Sequence, residues 1–205
     1  MKKLLCLHGY GQNAVLFKKK ISVLRNHLNK FDIECFFVDA PYICPQSSFD
    51  FIIPENGKAW YISSQDNSIY NGLSESLDYL RQIVDQNGEF IGVLGFSQGA
   101  TMAALVASHL QCFRFLVCFG GFVPRSASAK LLLSFKNPSL HVIGRNDTYI
   151  SPQESMGLAS YLGSLGSQVE IINHDGGHVV PQTAEYRDQI VDFIIKQELA
   201  NNTKL

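Results

Sequence analysis

The chain has 205 residues, of which 46% are hydrophobic and 17% are charged, and its formal net charge is -1. This composition is typical of a globular protein with a sizeable core and excludes a mainly disordered chain. Its 17 basic and 18 acidic residues leave no basic excess to bind a phosphate backbone, so we expect no nucleic-acid partner. The length predicts a single domain over residues 1–205.

Short apolar runs alternate along the chain with segments of helical spacing. In chain order, the pattern predicts a strand over Leu4–Leu7, a helix over Phe17–Leu28, a strand over Cys35–Val38, a loop or small cap over Pro41–Gly57, a helix over Leu73–Asn87, a strand over Phe90–Leu94, a helix over Gln98–Leu110, strands over Phe115–Phe119 and Leu140–Ile143, a capped helix from Ser151, a strand over Val169–Ile172 and a final helix over Thr183–Leu199.

The predicted strands lack strict polar alternation, which indicates a sheet covered on both faces. Regular alternation of strand and helix favours parallel strands with right-handed crossovers. An open doubly wound sheet is favoured over an eightfold barrel, because such a barrel typically needs about 250 residues. In open sheets of this kind the chemistry lies at the carboxyl ends of the strands, so the residues that follow each strand are the candidate site.

The first apolar run is too short for a signal-peptide core or a membrane span, so we expect neither. The chain has five cysteines, an odd number, and no two of them form a C-x-x-C pair. This pattern argues against a disulfide framework and against a zinc site. The sequence therefore predicts a reduced, cytoplasmic location and no bound metal.

Residues 95–99 read Gly-Phe-Ser-Gln-Gly and match the G-x-S-x-G pattern directly between a predicted strand and a predicted helix. In such a turn, side chains two residues either side of Ser97 would collide with neighbouring backbone, and glycine removes the collision. Ser97 is then exposed above the sheet as a nucleophile, and the N–H of Gln98 points to where an oxyanion would form. The alternative is a glycine-rich turn without activity.

A serine nucleophile needs a base, and the base needs a carboxylate. His178 follows the last predicted strand and is preferred over His174, which has no flexible glycines ahead of it. Asp147 follows the preceding strand and is preferred over Asp175, which reads as a turn residue. The order Ser97, Asp147, His178 is that of α/β-hydrolases.

The loop after the first strand, with two glycines, is expected to supply a second oxyanion donor. The N–H of Tyr10 is the first candidate and that of Gly11 the second. Four apolar residues in connections near the strand ends are candidates for substrate binding, and each is equally consistent with plain core: Trp60, Tyr61, Phe122 and Val179.

An ordered set of motifs resembles the FSH-type family of serine hydrolases over nearly the whole chain. The motifs are Leu-Cys-Leu-His-Gly-Tyr-Gly-Gln-Asn at 5–13, Asp-Ala-Pro at 39–41, Ala-Trp-Tyr at 59–61, Tyr-Asn-Gly-Leu-Ser-Glu-Ser-Leu at 70–77, Gly-Phe-Ser-Gln-Gly-Ala at 95–100, Gly-Arg-Asn-Asp at 144–147 and Gly-His at 177–178. The resemblance implies an α/β-hydrolase fold, esterase activity on acyl esters or thioesters, no metal or organic cofactor, a cytosolic or nuclear location, and a triad at Ser97, Asp147 and His178.

The function predicted from these observations is hydrolysis of carboxylic esters or thioesters of short to medium acyl chains through an acyl-enzyme. Only Pro41–Gly57 and residues 122–139, with Leu131–Leu133 in a possible short helix, are long enough to roof the site. Two alternatives remain open: acyl-protein thioesterase or acyltransferase chemistry on the same scaffold, and a hydrolase-fold module that binds an acyl ligand without turnover.

Overall fold

The computed structural model describes residues 1–45 and 53–202, with side chains described as far as residue 200. The strands are β1 (Lys2–Leu7), β2 (Ile33–Val38), β3 (Tyr42–Ile43), β4 (Lys58–Ala59), β5 (Ile62–Ser63), β6 (Tyr70–Asn71), β7 (Phe90–Phe96), β8 (Leu116–Phe119), β9 (Ser139–Gly144) and β10 (Val169–His174). Six of them form one open sheet in the order β10-β9-β8-β7-β1-β2, and every neighbouring pair is parallel. The predicted open parallel sheet is confirmed.

Helices cover both faces of this sheet, which explains why its central strands are apolar throughout. The helices are α1 (Ala14–Lys20), α2 (Ser22–Leu28), α3 (Leu73–Asn87), α4 (Gln98–Leu110), α5 (Ala127–Leu131), α6 (Pro152–Ser164) and α7 (Ala184–Asn202), with a 3-10 turn at Asn29–Phe31. One core cluster joins the sheet to α3, α4 and α6, and the other joins it to α1, α2 and α7.

The start of α6 shows how local chemistry sets an element boundary. Ser151 Oγ accepts a hydrogen bond of 3.2 Å from the Glu154 N–H, and Glu154 Oε2 accepts one of 3.0 Å from the Ser151 N–H. Pro152 occupies the first helical position, where its missing N–H costs nothing. The capping box predicted from Ser151 to Glu154 is therefore confirmed.

Two parts of the predicted pattern need correction. The helix predicted over Phe17–Leu28 is two helices, because Ile21 leaves helical geometry with φ -105° and ψ 24°. The region predicted as loop or small cap over Pro41–Gly57 contributes β3 to a short antiparallel pair with β4, and residues 46–52 of it lie outside the described residues.

The predicted short helix in the second roofing region is present as α5. Its expected apolar underside is reduced to Ala129 and Leu133, since Leu131 is 83% exposed and Leu132 is 42% exposed. Across residues 1–45 and 53–202, no helix is both long enough and apolar enough to cross a membrane.

Candidate active site

Four predicted site residues follow strands of the same parallel sheet and so lie at its carboxyl edge. Tyr10 follows β1, Ser97 follows β7, Asp147 follows β9 and His178 follows β10. Because these four strands run in one direction, their ends meet on one side of the molecule.

Ser97 occupies the sharp turn between β7 and α4. Its backbone has φ 57° and ψ -123°, a conformation that is strained for a residue with a side chain. A Cβ at Gly95 would lie 2.1 Å from the Gly99 carbonyl oxygen, and a Cβ at Gly99 would lie 2.3 Å from the Leu7 carbonyl oxygen. Both glycines are therefore required for the turn to pack against its own backbone and against the end of β1.

The turn is anchored to the neighbouring strand. The Ser97 N–H donates a hydrogen bond of 2.8 Å to the Phe119 carbonyl oxygen at the end of β8. Gly120, the next residue, has φ +56°, and a Cβ placed on it would lie 3.1 Å from His178 Cε1. The end of β8 thus lies against both the serine turn and the histidine ring.

His178 forms a short pair with Asp147. The distance from His178 Nδ1 to Asp147 Oδ2 is 2.6 Å. The other oxygen, Oδ1, accepts hydrogen bonds of 2.9 Å from the N–H groups of Tyr149 and Ile150. These amides hold the carboxylate in place, so Nδ1 of the imidazole carries a proton and Nε2 is the nitrogen that can act as a base.

The histidine ring is enclosed by aromatic neighbours. The centres of the Phe96 and Tyr149 rings lie 4.6 Å and 5.7 Å from the centre of the His178 ring. Burial lowers the pKa of His178, the Asp147 carboxylate opposes that shift, and the positive charge of Lys20 adds to it. The imidazole is therefore neutral, and available as a base, at neutral pH.

The structure gives the rival residues other environments. Asp175 is exposed and forms an ion pair of 2.5 Å with Arg145 at the surface. His174 is buried, accepts a hydrogen bond of 3.1 Å at Nδ1 from the Gly176 N–H, and packs against the Tyr186 ring. Asp175 thus pairs with the loop after β9, and His174 contacts the glycine turn that precedes His178.

The loop after β1 packs directly on the serine turn. A Cβ at Gly9 would lie 2.9 Å from Phe96 Cδ1 and 3.3 Å from Ser97 Cβ. The Gly11 N–H donates a hydrogen bond of 2.9 Å to the Lys58 carbonyl oxygen, so this amide is already engaged. Of the two oxyanion donors predicted in this loop, the second is therefore engaged elsewhere, and the first, Tyr10, stays a prediction.

A buried polar network holds that loop against α4. His8 Nε2 accepts from the Ala40 N–H at 3.0 Å, which places its proton on Nδ1, where it donates to the Gly9 carbonyl oxygen at 2.8 Å. Trp60 Nε1 donates to the His8 carbonyl oxygen at 2.8 Å. The Gln98 side chain accepts from the Trp60 N–H at 2.9 Å. His8 thus supports the loop and leaves the proposed chemistry to His178.

The four predicted substrate-binding residues divide into two pairs. Trp60 and Tyr61 are fully buried, and Tyr61 stacks on Tyr70 with the ring centres 4.1 Å apart. Phe122 is half-buried and Val179 is 47% exposed. Only the second pair presents surface that an acyl group can contact without a rearrangement.

Sequence reasoning missed three residues near His178: Gly120 and Tyr149 lie beside its ring, and Lys20 lies over the Phe96 ring that packs on it. Two of them carried a local signal, since Gly120 directly follows a strand and Tyr149 lies two residues after Asp147. Lys20 lies 158 positions before His178, and its place in a run of three lysines predicted only a solvated helix face.

Among the described residues, Ser97 Oγ forms no hydrogen bond with the His178 ring. Such bonds are often long in unliganded enzymes and shorten when substrate binds. Within the same part of the chain, no group of three His, Cys, Asp or Glu side chains is arranged to hold a metal ion.

The open parallel sheet and the strained serine turn define an α/β-hydrolase. The solved structure of esterase PE8 superposes with a TM-score of 0.75 at 19% identity and covers 95% of this chain and 92% of its own. A Bacillus cereus carboxylesterase superposes with a TM-score of 0.67 at 18% identity and covers 96% of this chain and 88% of its own. At these identities the two structures establish the fold.

The sequence comparison specifies the family. Residues 1–190 match the model of the family described as Serine hydrolase (FSH1), and the chain belongs to that family. The human protein Esterase OVCA2 is 33% identical over 220 residues, which cover 94% of this chain and 95% of the relative. The chain is accordingly a carboxylesterase-type serine hydrolase, and the resemblance stated from its motifs is confirmed.

Proposed function

We propose that the chain hydrolyses carboxylic esters or thioesters through a Ser97–His178–Asp147 triad and an acyl-enzyme intermediate. The observation that carries the proposal is the 2.6 Å pair between His178 and Asp147 at the sheet edge where the strained Ser97 turn is also found. A hydroxyl is a weak nucleophile until a neighbouring base removes its proton, and this edge supplies the base with its orienting carboxylate.

In the first step, Ser97 Oγ attacks the acyl carbonyl carbon while its proton moves to His178 Nε2. The Asp147 carboxylate stabilises the imidazolium that forms, without taking its proton. His178 then donates the proton to the leaving oxygen or sulfur as the bond from the acyl carbon to that atom breaks. The products are an acyl-serine ester and a free alcohol or thiol.

In the second step, water attacks the acyl-serine ester. His178 removes a proton from the water and returns it to Ser97 Oγ as the ester bond breaks. The products are the free acid and the original enzyme, and no cofactor is consumed.

The charge that develops on the carbonyl oxygen in both steps needs nearby donors. Gln98 is the first residue of α4, so its N–H belongs to the amides that have no acceptor within the helix. Tyr10 N–H is the matching donor from the loop that packs on Ser97. Loss of one such donor typically costs about 2.7–4 kcal/mol in the transition state.

We further infer that the acyl group lies against Phe122 and Val179, backed by the buried rings of Trp60 and Tyr61. The segment with Phe122 is tied to α4, because Thr101 Oγ1 donates to the Phe122 carbonyl oxygen at 2.9 Å. Two partly exposed side chains form this surface, which favours acyl chains of roughly four to ten carbons over acetate and over long lipids.

Covalent labelling tests the triad. A fluorophosphonate should label the wild-type chain at the peptide that contains Ser97, because the activated hydroxyl displaces fluoride from phosphorus. Ser97→Ala should abolish labelling and lower the kcat for p-nitrophenyl butyrate by about 10⁶-fold. Ser164→Ala is a matched control, since Ser164 is exposed and its hydroxyl donates a hydrogen bond to the Tyr161 carbonyl oxygen of the preceding helical turn.

Persistent turnover in folded Ser97→Ala protein would disprove the mechanism. An unlabelled wild-type chain that still binds an acyl ligand would support the non-catalytic alternative instead.

A further inference from the structure

Lys20, the last residue of α1, places its ammonium group beside the ring that supports His178. Its Nζ lies 4.1 Å from the centre of the Phe96 ring, and the centre of the His178 ring lies 4.6 Å from the same point. The Lys20 carbonyl oxygen accepts a hydrogen bond of 2.6 Å from Gln182 Nε2. The end of α1 is thereby joined to the segment that follows the histidine.

The Lys20 charge is half-buried and has no counter-ion in the part of the chain that the structure describes. Elsewhere in the molecule, Lys2 and Lys196 form ion pairs with glutamates. Burial lowers the pKa of Lys20, as expected when an ammonium group loses water without gaining an anion. The preceding residues Lys18 and Lys19 are exposed and lose no such hydration.

A half-buried ammonium group next to a catalytic centre is a complementary partner for an anion. Removal of water destabilises the charged ammonium group. A carboxylate or phosphate oxygen that binds there compensates for the lost hydration through a charge-assisted hydrogen bond. The aromatic face of Phe96 replaces only part of the lost hydration. A lysine gives one point charge, which suits a single anionic group.

The position of Lys20 relative to His178 indicates which part of the substrate carries that anion. In the proposed reaction His178 donates a proton to the leaving oxygen or sulfur, so groups next to His178 face the leaving alcohol or thiol. The acyl surface at Phe122 lies instead on the segment that follows β8.

We propose that Lys20 binds an anionic group, a carboxylate or a phosphate, on the alcohol or thiol part of the substrate. The inference rests on the proposed function for its assignment of the leaving-group side. Lys20 is then a specificity-determining residue. The preferred substrates are esters or thioesters whose leaving group carries a negative charge.

A pair of butyryl esters tests this. Butyryl 4-hydroxybenzoate and butyryl 4-hydroxybenzamide share a ring and an acyl chain, and only the first carries a charge. In the wild type, kcat/KM should be higher for the charged ester than for the neutral ester. The charged-to-neutral ratio of kcat/KM should fall about tenfold in Lys20→Met, because one charge-assisted hydrogen bond is lost. Lys19→Met, which removes the same charge from the exposed face of the same helix, should leave the ratio unchanged.

Two further arms sharpen the result. The ratio should decrease with added salt in the wild type and be insensitive to salt in Lys20→Met. The butyryl ester of 4-hydroxyphenyl phosphate, measured beside the carboxylate ester, shows which anion is preferred. Lys20→Gln replaces Lys20→Met if circular dichroism shows that the methionine variant is unfolded.

Binding without turnover separates this proposal from the mechanism. Calorimetry should show that 4-hydroxybenzoate binds more tightly than 4-hydroxybenzamide to the wild type but not to Lys20→Met, whether or not the esters are cleaved. Equal ester ratios and equal product binding in the wild type and in Lys20→Met would overturn the role of Lys20. If the wild-type chain binds 4-hydroxybenzoate preferentially but is not labelled by the fluorophosphonate, the anion site is supported and the triad is refuted.

Discussion

The carboxyl edge of the sheet is built from two regions of opposite character. The base side, formed by residues 119–120, 147–150 and 176–180, is held by hydrogen bonds, and its Asp147 carboxylate has three hydrogen-bond partners among the described residues. The cap segments, formed by residues 53–63 and 122–135, carry apolar side chains that range from the fully buried Trp60 to Leu131, which is 83% exposed. Backbone contacts limit the first region closely, whereas the second also includes exposed side chains such as Leu131. We therefore expect large effects from changes on the base side and graded effects from changes in the cap segments.

The largest expected contrast is between two aspartates 28 positions apart. Asp147→Asn keeps the size of the side chain but no longer holds the proton on His178 Nδ1, so kcat should fall by up to about 10⁴-fold. Asp175→Asn breaks only an exposed ion pair with Arg145, so kcat should change by less than about twofold. Steady-state kinetics with one p-nitrophenyl ester measures both, and the reverse ranking would show that the orienting carboxylate lies in the other loop.

Alanine substitutions at two glycines compare tight packing on the base side with open space elsewhere in the molecule. Gly120→Ala places a methyl group 3.1 Å from His178 Cε1 and forces an alanine into φ +56°, so kcat should fall by about 10²-fold as the ring shifts. Gly157→Ala, within α6, meets nothing within 4 Å and should raise the stability by about 0.5–1 kcal/mol. Kinetics and thermal melts on both variants separate a displaced base from a general loss of stability. Normal kcat in Gly120→Ala would show that the base side is more adaptable than its contacts indicate.

The pH profile reports how strongly the base side is desolvated. Burial lowers the pKa of His178, so the acidic limb of kcat/KM should have its midpoint below the ordinary value of about 6.5, with activity retained above it, where the imidazole is neutral. Tyr149→Ala admits water to the ring and should move the midpoint upward. A wild-type midpoint above about 7 would show that the charge of Asp147 outweighs burial.

The residues that sequence reasoning located are those whose constraints are local. Gly95 and Gly99 are required by a turn of five residues, and Asp147 is preferred over Asp175 because Asp175, three positions before His178, reads as a turn residue. The apolar runs in the sequence mark where each strand ends. The loops at the carboxyl edge of a parallel sheet can therefore be predicted from the sequence.

The features that were missed leave no periodic signal in the sequence. The approach of Lys20 to Phe96 follows from how α1 packs on the sheet, and no periodicity records it. The break between α1 and α2 at Ile21 is not predicted, because the apolar residues keep their helical spacing through it. The pairs β3–β4 and β5–β6 have two residues in each strand, which is too short for an alternation signal.

The smallest expected effect concerns the acyl chain and tests the cap segments directly. Each buried methylene is worth about 0.8 kcal/mol, or about fourfold in kcat/KM, so p-nitrophenyl esters at matched solubility should improve from acetate until the apolar surface is filled. We expect a maximum between roughly four and ten carbons. Phe122→Ala should lower the butyrate-to-acetate ratio by severalfold, because Phe122 presents half-buried apolar surface. Leu131→Ala should leave that ratio unchanged, because Leu131 is already solvated. A maximum at acetate would remove the acyl surface from the proposal, and a maximum at palmitate would require a groove longer than the cap segments form.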